Sequence, residues 1–181
     1  WAGLAAAGVL ASTAAHLGRA PALFGLLLAV LAMAAALAAF LPAHTPRWPL
    51  FGLALLAMPV LASLQFYAGH PLRLVTAQLS AWLLVAVGHD VQISGTALSV
   101  NGNLVIVDAP CSGVQMLWVA YFCACTWAWH LRLPDRTFAR RLVGVGAIVL
   151  AGNVLRNSVL VALEAGAAPV SEQVHEAVGL V

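Results

Sequence analysis

The 181-residue chain is 63% apolar and 8% charged, against about 25% charged residues in an ordinary soluble domain. Its eight basic residues are all arginine and face six acidic ones, for a formal net charge of +2. This balance argues against a soluble domain and against a nucleic-acid partner, and it assigns the chain to the membrane class, with lipid as its surroundings.

The sequence starts at Trp1 and stops at Val181 within an apolar stretch, so it is expected to be a piece of a longer chain, forming a single integral membrane domain over residues 1–181. No charged n-region with a cleavage site opens it, and no removable signal peptide is expected. Cys111, Cys123 and Cys125 are an odd number without CxxC spacing. They do not read as a disulfide framework or a metal site, and neither metal nor cofactor is expected.

A helix needs about 20 apolar residues to cross a hydrocarbon core of about 30 Å. Residues Trp1–Ala15, Pro21–Leu41, Trp48–Gln65, Cys111–Leu131 and Leu142–Leu163 approach or meet that requirement. The expected fold is therefore an all-α polytopic membrane protein with about five to six membrane helices. Between the third and fourth segments, Pro71–Gly88 collects Arg73, Thr76 and Ser80 on one helical face and is expected to lie in the interface without spanning.

Val91–Asp108 loses helical periodicity and is rich in β-branched residues. Asn101-Gly102, set between Thr96–Val100 and Asn103–Val107, signals a two-residue hairpin turn. An open hairpin cannot satisfy its edge amides among lipid tails. It is expected outside the hydrocarbon, as a small extracytoplasmic β-hairpin just before Cys111.

Orientation follows from the arginines. The segment from His130 to Arg141 carries Arg132, Arg136, Arg140 and Arg141, and the positive-inside rule makes it cytoplasmic, together with Arg47. Cys111 and Arg156 then fall on the outer side, with His175 beyond the exit of the last span.

Cys111 stands in Asp108-Ala-Pro-Cys-Ser-Gly113, at a strand-to-helix junction where backbone N–H groups and the helix dipole favour a thiolate. Cys123 and Cys125, in mid-helix, read as small buried apolar residues. Asn153, Arg156 and Asn157 are spaced i, i+3, i+4 and share a face with Glu164. Such a polar stripe faces protein or water, and an intramembrane arginine usually has a role. His175 is one of six histidines, and on residue type alone it reads as a surface or capping residue.

The stretch Leu64–Gln78, then Asn101–Gly113 with its Cys-Ser-Gly, then Asn153-Val-Leu-Arg-Asn157, then His175 with Gly179, resembles the exosortase/archaeosortase family from about Trp48 to the end. The resemblance implies a membrane cysteine transpeptidase in the cytoplasmic (inner) membrane of a bacterium, its active site facing the periplasm or outside. The implied partners are exported proteins with a C-terminal tripartite sorting signal of PEP-CTERM type: a short motif, a transmembrane helix and a basic cluster. Carried over by position, the family's cysteine, arginine and histidine fall on Cys111, Arg156 and His175. Asp108, Ser112, Gly113, Asn153 and Asn157 are the expected supporting residues. Pro110 stands where the family often has alanine.

The sequence also admits two other readings. A non-enzymatic transporter or assembly subunit would use Arg156 as a ligand anchor. A membrane thiol oxidoreductase would need a second cysteine near Cys111, yet Cys123 and Cys125 lie more than about 15 Å away by helix rise.

Overall fold

The computed structural model describes residues 1–42, 44–107 and 112–166. These form helices α1 (Ala2–Leu17), α2 (Ala22–Phe40), α3 (Trp48–Leu56), α4 (Leu61–Ala86), α5 (Val114–His130) and α6 (Asp135–Glu164), with strands β1 (Val91–Ser94), β2 (Ala97–Val100) and β3 (Asn103–Ile106) between α4 and α5. The chain divides into two compact units, Trp1–Val60 with Trp118–Gly146, and Leu61–Leu117 with Ala147–Val181.

In the first unit α1 and α2 form a close antiparallel pair. Ser12 Oγ donates to the Gly25 carbonyl at 3.0 Å, and Gly8 approaches Ala32 so nearly that a Cβ there would stand 2.8 Å from the alanine's. Small residues let helices approach in this way where lipid offers no hydrophobic drive to associate. A second cluster joins Cys125, Ala128 and Phe138 to Leu53, Leu56, Leu133 and Leu142. Cys125 is buried as expected, whereas Cys123 is exposed. The two are two residues apart on a helix, so they cannot share a face.

Two helices, α2 and α6, are long and apolar enough to span a membrane alone, and α3 with α4 pass the same test only as one interrupted span. The described residues thus give two or three candidate spans where five to six were expected. Helix length is part of the reason, and hydropathy the rest, since α4 with 26 residues does not pass alone. α1 has 16 residues and α5 has 17, the latter about 26 Å at ~1.5 Å per residue.

The break in the middle of the chain also moves. The expected span Trp48–Gln65 ends as a helix at Leu56, just ahead of Met58-Pro59, where proline lacks an N–H and disfavours helix in the residue before it. α4 then runs unbroken from Leu61 through Pro71. No separate interfacial helix starts at Pro71, and two members of its polar face, Thr76 and Ser80, are fully buried against protein.

In the second unit the three strands pair antiparallel in the order β1-β2-β3. The β2–β3 turn is the expected one. Asn101 (φ +50) and Gly102 (φ +88) occupy the left-handed region, which a type I′ turn requires at both central positions. β1 was not expected; its pairing runs Val91↔Val100 to Ser94↔Ala97. Asn101 ties the turn down, its Oδ1 accepting from Asp90 N at 3.1 Å. Leu98, Val100, Val105 and Val107 pack on Ala77, Ala81 and Leu84 of α4 and on Val161 and Ala165 of α6. Complete burial of Leu98 and Val100 stabilises by roughly 1.5–3 kcal/mol each, which anchors a small sheet that would be marginal alone.

Candidate active site

The second unit brings two of the sequence motifs together. Gly113 has φ +74, a conformation that costs glycine little and other residues more. It ends the link from β3 and fixes the start of α5 at Val114, three residues later than expected. Ser112 is buried, and its Oγ accepts from Val114 N at 3.4 Å. The hydroxyl thereby meets one of the amides that a helix start leaves without a helical partner.

Gly113 lies against the carboxamide of Asn153. A Cβ at Gly113 would be 3.0 Å from both Asn153 Cγ and Nδ2. The Ser-Gly end of the cysteine motif and the first residue of Asn153-Val-Leu-Arg-Asn157 are thus in direct contact. Further along, Arg156 NH1 donates to Met116 Sδ at 3.7 Å. This joins the arginine to the first turn of α5.

The carboxamides themselves are held from the other side. Asn153 is fully buried and its Nδ2 donates to Thr76 Oγ1 of α4 at 3.2 Å. Asn157 Nδ2 donates to the Asn153 carbonyl at 2.8 Å. The next carbonyl, that of Val154, accepts from Ser80 Oγ at 3.2 Å and from Ser158 Oγ at 2.8 Å. Buried polar groups joined in this way specify a single arrangement of α4, α6 and the α5 start. The stripe of Asn153 and Asn157 faces protein, as expected; Glu164, assigned to the same face, is exposed near the end of α6.

Thr76, Ser80 and Met116 were not expected here. Thr76 and Ser80 are four residues apart on an otherwise apolar stretch, and that spacing was the available signal. Cys111, Asp108 and His175 lie outside the described residues, as does Pro110.

The family model for transmembrane exosortase (Exosortase_EpsH) matches residues 1–181. The chain belongs to the transmembrane exosortase family. No curated protein and no solved structure matches it. As an exosortase it is a membrane protein, in keeping with its apolar helices. The family match covers α1 and α2 as well, beyond the stretch in which the motifs stand.

Proposed function

We propose that this exosortase is a membrane cysteine transpeptidase that removes the C-terminal sorting tail of exported proteins and passes them to an acceptor. The observation that supports the reading is the seating of Gly113 on Asn153, which joins the Ser112-Gly113 end of the cysteine motif to the helix that carries Arg156.

The chemistry follows from residue types. The Cys111 thiolate attacks the scissile carbonyl carbon, forming a C–S bond and a tetrahedral oxyanion. His175, as imidazolium, gives its proton to the leaving amine while the C–N bond breaks and a thioester remains. The neutral imidazole then takes a proton from the acceptor as it attacks the thioester, and the thiolate departs. Arg156, charged at any working pH, stabilises the thiolate or the oxyanion. Asn153 and Asn157 hold the segment of α6 that carries it.

The substrates in this reading carry a short motif, a transmembrane helix and a basic cluster. The enzyme sits in the bacterial cytoplasmic membrane with the reaction on its outer side. Co-expression with candidate tailed proteins tests it. Wild type is expected to shorten them, and Cys111→Ala to leave the tail in place. Full processing by Cys111→Ala removes the cysteine mechanism.

A further inference from the structure

The first unit holds an open cavity of about 680 Å³ lined by Trp48, Asp135, Arg136, Ala139 and Arg140. Arg136 and Arg140 are exposed and, being i and i+4 on α6, lie on one helical face. The neighbouring acid does not serve them through Oδ1. That oxygen accepts from the backbone N–H groups of Arg47 at 3.0 Å and Trp48 at 3.1 Å, so it caps α3 across a sequence separation of 88 and 87 residues. Arg47 itself lies over the Trp1 ring, 5.1 Å from its centroid.

The position of the arginines runs against helix electrostatics. Arg136 stands in the first turn of α6, the positive end of its dipole, where a cation is disfavoured, and Arg140 and Arg141 follow in the second turn. An anion bound between them reverses the sign of that interaction. The positive-inside rule alone also accounts for basic residues here, but it treats the three alike. The cavity does not, since Arg136 and Arg140 line it and Arg141 is absent from its wall.

We propose that this cavity binds the phosphate of an anionic phospholipid headgroup. Arg136 and Arg140 bracket the phosphate, and Trp48, 56% exposed, lies at the level where an amphipathic ring meets headgroups. A lipid is favoured over a soluble phosphate because the site opens at the start of α6, one of the two helices able to span a membrane alone. Headgroups are concentrated at such a helix end.

The test is thermal unfolding of the full chain in mixed micelles, titrated with phosphatidylglycerol, phosphatidylcholine or inorganic phosphate. Wild type and Arg141→Gln should be stabilised saturably by phosphatidylglycerol and not by the other two. Arg136→Gln/Arg140→Gln should need roughly thirtyfold more phosphatidylglycerol for the same rise, at about fivefold per arginine. Circular dichroism checks that each variant stays helical. Equal stabilisation by phosphatidylcholine, an unchanged response in the double variant, or an equal loss in Arg141→Gln overturns the proposal. So does a full response to inorganic phosphate, which would make the site one for a soluble anion.

Discussion

Gly113 rests closely on the Asn153 carboxamide, a Cβ there falling 3.0 Å from two of its atoms. The contact crosses 40 residues of sequence and joins a turn to the middle of a helix. Because Asn153 is held in turn by Thr76, its carboxamide cannot retreat without breaking a buried hydrogen bond. The start of α5 at Gly113 is therefore held against α6 and, through Asn153, against α4.

Gly113→Ala should accordingly lose stability for two separable reasons. The left-handed backbone costs a non-glycine residue about 1 kcal/mol or more, and the methyl group presses on Asn153. In an Asn153→Ala background the second cost should vanish while the first remains. Denaturant unfolding of the two single variants and the double variant measures the coupling. Strict additivity would mean that the two residues do not support each other.

The hairpin was legible because Asn101-Gly102 dictates a local backbone conformation that no distant contact needs to supply. β1 was not, since Val91-Gln-Ile-Ser offers two apolar residues on one face and gains its partner only through register with β2. The start of α6 was missed because Arg136 in the first turn opposes the helix dipole and, with Arg140 and Arg141 in the second, reads as a basic loop. Thr76 and Ser80 were legible as a polar face, but their partners lie 77 and 74 residues away. No periodicity within α4 could tell protein from water on that side. At the candidate site the motif residues Gly113, Asn153 and Arg156 were legible as a set, while the residues that hold them were not.

The orientation of the exosortase can be read by labelling. In a cysteine-free background, single cysteines at Leu104, which is 70% exposed on β3, and at Arg141 should react with an impermeant thiol reagent from opposite sides. Leu104 should react from outside and Arg141 only from the cytoplasm. These positions leave the turn held by Asn101 and the α3 cap made by Asp135 intact. Reaction of the Leu104 position solely from the cytoplasm would sink both the topology and the proposed site of reaction.

Arg156→Lys is expected to leave tail processing at the level of Arg156→Ala. Arg156 reaches toward the first turn of α5, and a planar guanidinium can hold several acceptors at fixed angles, which a compact ammonium cannot. The processing assay reads this directly. Near-normal activity in the lysine variant would reduce Arg156 to a generic positive charge.

The division of labour between Cys111, Arg156 and His175 can be separated by alkylation. If His175 acts as proton donor to the leaving amine, His175→Ala should stop turnover yet leave Cys111 open to a small thiol reagent near neutral pH. A helix start and Arg156 can both favour a thiolate without the imidazole. Removing Arg156 takes away a positive charge that favours the ionised form, so a higher pH is then needed for the same thiolate fraction, and alkylation at neutral pH should slow. The measurement is alkylation rate against pH in detergent for wild type, His175→Ala and Arg156→Ala, each in a background lacking Cys123 and Cys125. Circular dichroism confirms that the variants remain helical. A pH profile displaced upward in His175→Ala and unmoved in Arg156→Ala would reverse the roles, making Cys111 and His175 the activating ion pair and leaving Arg156 to the oxyanion alone.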